Sequence, residues 1–188
     1  NANCYKTVFS KRLGELVAVG EHATAKVKGG GPVEPVAMFL DACFWVITSN
    51  GGNITLGGGS AGDGLGYAVG NSGGRFPGAG VQLFQSTLNS GMGNILINGK
   101  GDVTRTGTQN YGVIIDSNSP TGYGTGSQVT TSGGNITMTG IGGGAGGSYA
   151  NVGVQVDDNS VVSTTGSGNI TLTGTGGSTS TGGFNNGL

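Results

Sequence analysis

The sequence predicts an all-β protein: a right-handed parallel β-helix (a β-solenoid) with three short strands per coil and a separate N-terminal signal-like segment. Three observations predict it. The first is a recurring unit: Gly52-Asn53-Ile54-Thr55-Leu56, Gly93-Asn94-Ile95-Leu96-Ile97, Gly134-Asn135-Ile136-Thr137-Met138 and Gly168-Asn169-Ile170-Thr171-Leu172. Its asparagines lie 41, 41 and 34 residues apart, and self-similarity at such a period marks a stacked-repeat architecture. The second is alternation. Ile54/Leu56, Ile95/Ile97, Ile136/Met138 and Ile170/Leu172 recur at period two, which puts one apolar row inside and the intervening row outside. The third is glycine: 39 of the 44 glycines fall in the last 138 residues. They follow no three-residue period, which excludes collagen. The apolar residues between them keep a register that a disordered linker lacks.

Residues 1–31 differ from the rest. They hold Lys6, Lys11, Arg12, Lys26 and Lys28, five of the eight basic residues. Composition alone allows either a short amphipathic helix opening a domain or a separate targeting segment. The residue order is more specific. Tyr5-Lys6-Thr7-Val8-Phe9-Ser10, then Gly14, then Leu16-Val17-Ala18-Val19-Gly20-Glu21 resembles the extended signal peptide region of autotransporters and filamentous-haemagglutinin-like exoproteins of Gram-negative bacteria. The resemblance covers about residues 2–24. It implies export through the inner-membrane machinery and a bacterial cell-surface or secreted destination. It also implies a passenger acting as adhesin or surface filament, with host-cell or surface ligands as partners. The chain has no Asn-Pro-Asn motif of the two-partner kind, which favours an autotransporter passenger.

Residues 32–43 form a degenerate apolar linker. Val36-Ala37-Met38-Phe39-Leu40 supplies only five apolar residues, below the roughly 7–15 of a signal core. The repeats are expected from Phe44 onward, over 44–188, with the last coil incomplete. Each repeat adds a second strand (Val81–Phe84, Val113–Asp116, Val154–Asp157) and a third before the asparagine (Thr87–Ser90, Gln128–Thr131, Val161–Thr165). The remainder is a Gly-rich loop of variable length, 57–80, 99–112 or 140–153. Insertions confined to one corner leave stacked strands in register. Stacking then buries Ile54, Ile95, Ile136 and Ile170 in one continuous row. Asn53, Asn94, Asn135 and Asn169 either adopt a left-handed turn conformation or stack as a hydrogen-bonded ladder.

Chemistry-bearing residues are sparse. The one histidine, His22, precedes the repeats, and Cys4 and Cys43 also lie outside them. The array therefore has no usual base for a Ser or Cys nucleophile and no usual zinc ligands. Asp157 and Asp158 are the only adjacent acids, and neighbours on a strand point to opposite faces. The array's three basic residues, Arg75, Lys100 and Arg105, form no stripe, so nucleic acid has no electrostatic footprint. Gly59-Ser60-Ala61-Gly62-Asp63-Gly64 is a lone approximation to a calcium repeat. The expectation is no catalysis, no cofactor and no metal. Surface contact is expected from loop tyrosines, with Tyr111, Tyr123 and Tyr149 foremost. Two alternatives stand beside the adhesin or stalk. One is a β-helix polysaccharide-acting enzyme, which requires Asp102, Asp116, Asp157 or Asp158 to converge in one groove. The other is a non-binding structural repeat from a decayed gene.

Overall fold

The structure, a computed structural model, describes residues 6–10, 15–19, 40–43, 45–59, 64–71, 76–117 and 124–188. Short apolar runs between glycines become strands, and the chain winds them into four coils. A hairpin comes first, β1 (Lys6–Ser10) and β2 (Glu15–Val19). The first coil holds β3 (Leu40–Cys43), β4 (Val46–Thr48), β5 (Ile54–Leu56) and the two-residue β6 (Ala68–Val69). The second holds β7 (Val81–Phe84), β8 (Thr87–Asn89) and β9 (Ile95–Lys100). The third holds β10 (Val113–Asp116), β11 (Gln128–Thr131) and β12 (Ile136–Ile141). The fourth holds β13 (Val154–Val156), β14 (Val161–Thr164) and β15 (Ile170–Thr175).

Strands stack coil on coil into three sheets. The first sheet runs β2-β5-β9-β12-β15, parallel throughout, with β1 antiparallel on the outside of β2. The second runs β3-β7-β10-β13 and the third β4-β8-β11-β14, both parallel. The isoleucine row is the spine of the first sheet: Ile54 pairs with Ile95, Ile95 with Ile136, and Ile136 with Ile170. The first three are buried, while Ile170 is 42% exposed on the last coil. Leu56/Ile97/Met138, Leu83/Ile115 and Leu88/Val129 complete the inner core. Along β9 and β12 burial alternates residue by residue, as one solvated face dictates.

Three of the coil's turns are pinned by repeated side-chain bonds to the neighbouring coil. The backbone N–H of Asn94 donates to Asn53 Oδ1 at 2.9 Å, Asn135 N–H to Asn94 Oδ1 at 2.8 Å, and Asn169 N–H to Asn135 Oδ1 at 2.8 Å. Asn53, Asn94, Asn135 and Asn169 thus form a ladder. None of the four has a positive φ; in the turn before Asn53 that conformation falls on Asn50, at φ 53°. A serine ladder joins the second sheet to the third. Trp45 N–H donates to Ser86 Oγ, Ser86 N–H to Ser127 Oγ, and Ser127 N–H to Ser160 Oγ, at 3.2, 3.1 and 3.0 Å.

The Gly-rich arcs form the third ladder. Asn110 and Asn151 are fully buried. Asn110 Nδ2 donates to Asn151 Oδ1 at 2.7 Å, and Asn151 Nδ2 to Asn185 Oδ1 at 2.8 Å. Sequence reading missed these residues. Their signal was legible as Asn110-Tyr111-Gly112-Val113, Asn151-Val152-Gly153-Val154 and Asn185-Asn186-Gly187-Leu188. In the first coil Gly78 takes the asparagine's place, and its N–H bonds Asn71 C=O at 2.6 Å. The ladder ends there, leaving Asn110 Oδ1 without a hydrogen-bond partner.

Two expectations need correction. Length variation is not confined to one Gly-rich corner. The arcs 101–112, 142–153 and 176–187 are equal, and each bonds the next through matched amides such as Gly101 N–H to Ile141 C=O and Gly142 N–H to Thr175 C=O. The variation sits elsewhere. Leu56 pairs with Ile97 and Ala68 with Gly99, so residues 57–67 are inserted opposite Asn98 alone. Asn98 Nδ2 anchors that excursion on Leu65 C=O at 3.0 Å. The other length difference lies between β10 and β11, where residues 117–127 stand in place of the two residues between β7 and β8. A short strand can break out and resume because its register is held by the coils beside it.

The other correction concerns the start of the chain. Residues 6–10 and 15–19 are strands. β1 and β2 pair over five register positions, and β2 continues the first sheet through Leu16 opposite Ile54. Leu40–Cys43, expected within a linker, is a strand in register with Val81–Phe84. The first coil thus begins at Leu40, ahead of the expected Phe44.

Candidate functional surface

Outside the solenoid a second apolar cluster covers the second sheet. Along β7 and β10 every residue is buried, a pattern that requires both faces to be covered. Val81/Leu83 and Val113/Ile115 face inward, while Phe84 and Ile114 pack with Ala79, Tyr111, Phe76 and Val152. Phe76 folds back from the end of the first coil. Its ring lies 5.6 Å from Phe84 and meets Tyr111 edge-on at 5.3 Å. The buried Gln82 holds it like a strand partner, with Nε2 donating to Phe76 C=O at 2.7 Å and Oε1 accepting from Phe76 N–H at 3.1 Å.

This packing decides the fate of the tyrosines. Tyr111 is only 4% exposed, so it is not a surface-contact residue; its ring serves the Phe76–Phe84 cluster. Burial also raises its hydroxyl pKa. Tyr149 is 51% exposed on an arc, and its carbonyl accepts Gln109 N–H at 3.1 Å. Tyr123 lies outside the described residues. Tyr67 is exposed at the root of the 57–67 excursion.

Three of the four aspartates come together. Asp116 follows Ile115 at the end of β10, in register with Phe84, and is 6% exposed. Asp157 and Asp158 follow β13 directly below. Ser117 Oγ donates to Asp158 Oδ2 at 3.1 Å, and Gln155 Nε2 to Asp157 Oδ2 at 2.8 Å. Asp102 instead closes a turn in an arc, accepting from the N–H and Oγ1 of Thr104 at 2.8 and 2.7 Å. The Asp116 pKa is pushed up to about 6, first by burial and then by the Asp158 carboxyl, against a lowering bond from Ser117 N–H. Among the described residues no group of three or more His, Cys, Asp or Glu side chains is arranged to hold a metal ion.

The carboxyl cluster predicts a pH dependence. Asp116 has a folded pKa above its unfolded value, so the folded state holds the extra proton between about pH 4 and 6. Its contribution to stability is greatest below the unfolded pKa and falls as pH rises through the folded one. Asp116→Asn should therefore match the parent near pH 4 and exceed it at pH 7.5 by on the order of 2 kcal/mol. Urea titrations at the two pH values check this; equal curves at pH 7.5 would remove the buried proton from the account.

The first 44 residues carry the functional assignment. Residues 1–44 match the family model described as the Extended Signal Peptide of Type V secretion system. The match spans β1, β2 and β3 and ends shortly before β4, the first strand of the third sheet. No curated protein and no solved structure matches the chain. The chain thus carries a signal for type V secretion, which directs it through the inner-membrane export machinery to the surface or the outside of the cell.

Proposed function

We propose that this exported chain is a passenger segment serving as a stiff, extended stalk without catalysis. The observation that carries the proposal is the repetition of backbone-anchored ladders, two running through all four coils and a third joining the last three. Asn53/Asn94/Asn135/Asn169, Ser86/Ser127/Ser160 and Asn110/Asn151/Asn185 fix each coil to the next. Such coils add length at about 4.8 Å each with little freedom to bend. The clustered carboxylates support a structural part. They hydrogen-bond Ser117, Gln155 and their own strand ends.

A second reading, adhesin, is supported by Tyr149, which presents an exposed ring on a rigid frame. The two separate in the full-length protein displayed on cells. Excising 81–153 joins Gly80 to Val154 in the coil's own register. For a stalk, display and adhesion to epithelial or abiotic surfaces should survive with two coils fewer. Loss of adhesion on Tyr149→Ser, with display intact, would overturn the stalk in favour of the adhesin.

A further inference from the structure

We propose that the signal region caps the solenoid in the unprocessed chain, pairing with the open first edges of two of its three sheets. An exposed edge of a parallel stack presents unpaired N–H and C=O groups and templates association with other chains. In the first sheet that edge is β5. Ile54 N–H is committed to Asn94 C=O on the next coil, at 2.8 Å. Alternation along a parallel strand then turns Thr55 N–H the other way, towards β2, where Leu16 is opposite Ile54. In the second sheet the edge is β7. Val81 N–H is committed to Gly112 C=O, at 3.0 Å. Gln82 and Phe84 N–H therefore face β3, which pairs with β7 over four positions.

Both covering strands lie within residues 1–44, the span that matches the extended signal peptide. The third sheet's first strand, β4, lies beyond it. The cap is thus built from the part of the chain that addresses it for export. The two attachments are unequal. The hairpin is closed by five register pairs of its own but joins β5 through one, so it can leave as a unit. Signal segments are removed during export. Removal would convert a protected end into one able to accept a new strand, after the chain has left the compartment where it was made. The inference rests on the strand pairings, independently of whether the passenger is a stalk or an adhesin.

Amide hydrogen exchange on the full chain tests it. The probes are Thr55 for the hairpin, Phe84 for β3 and Thr137, deep in the stack, for the fold. Leu16→Pro removes the amide that β2 offers to β5, and Ala42→Pro does the same for β3 against β7. The expected result is at least tenfold faster exchange at Thr55 in Leu16→Pro with Phe84 unchanged. Ala42→Pro should show the reverse, and Thr137 should remain protected in both. Thr55 exchanging at the unprotected rate in the parent chain would overturn the cap. So would unchanged Thr55 exchange in Leu16→Pro. Loss of protection at Thr137 in Leu16→Pro would also overturn it, because the hairpin would then be part of the core rather than a removable cover.

Discussion

Replacing Ile136 by aspartate is expected to break the stack at its third coil. Ile136 is fully buried, with Ile95 above and Ile170 below in register. The substitution removes a packed side chain and places an unpaired carboxylate in a wall of isoleucine, leucine and methionine. Losing the side chain alone costs about 2–5 kcal/mol, and burying an unpaired charge adds to it. The combined loss should be at least about 4 kcal/mol, lowering the melting temperature by roughly 10 °C or more for a chain of this size. Ile170→Asp is the matched control. It changes the same row, but at a residue already 42% exposed, and should cost about 1 kcal/mol or less. Circular dichroism melts of the two variants compare them directly. Equal losses would mean that the row does not carry the core.

The second large effect is expected from a glycine that the apolar pattern does not single out. Where the long strands of the first sheet end, the two walls of the coil touch. A Cβ on Gly99 would collide with the carbonyl oxygen of Gly112, one on Gly140 with that of Gly153, and one on Gly174 with that of Gly187. This pinch separates the three-sheet core from the arcs. Gly140→Val cannot be absorbed by rotating a side chain, because the obstacle is backbone held in its own coil-to-coil bonds. The expected cost is about 3 kcal/mol or more, with the arcs opening and the Asn110–Asn151 bond lost. Gly147→Ala, on the same arc with open space around it and no positive φ, should be neutral or stabilising by roughly 0.4–1 kcal/mol. Denaturant midpoints together with the exchange of Asn110 N–H would show whether the arc has detached. A Gly140→Val chain as stable as the parent would refute the pinch.

Which parts of this molecule could be derived from residue order follows from where the physical constraint is local. Alternation in Ile95-Leu96-Ile97 and Ile136-Thr137-Met138 sets a strand with one buried face, whatever surrounds it. Repetition at one spacing then requires that like strands stack on like, because a single coil cannot bury its own apolar side. The three parallel sheets and the stacked isoleucine row, buried at Ile54, Ile95 and Ile136 though not at Ile170, were therefore legible, and the export signal was legible from a resemblance over about residues 2–24. So was the involvement of Asn53, Asn94, Asn135 and Asn169, although sequence alone left a left-handed turn open as their reason. The structure closed that alternative by giving the Oδ1 of Asn53, Asn94 and Asn135 a backbone N–H from the next coil.

Other features depended on contacts between residues far apart in the chain. Tyr111 carries the same side chain as Tyr149, yet one is buried and the other exposed. The difference is Phe76, which folds over the second sheet and closes on Tyr111. Nothing in the order of residues around Tyr111 encodes the arrival of a ring from another coil. The site of length variation was hidden for a related reason. Residues 57–67 are as Gly-rich as an arc, and only the pairing of Ala68 with Gly99 shows that the strand resumes after them. Asp116 beside Asp158 likewise exists only because one coil lies on the next. The sequence by itself determined which residues face inward and that coils must stack, since both follow from local periodicity and apolar burial. Only the tertiary structure decided what covers the outer faces and the open edges, because those surfaces are completed by segments whose own local pattern carries no record of their partners.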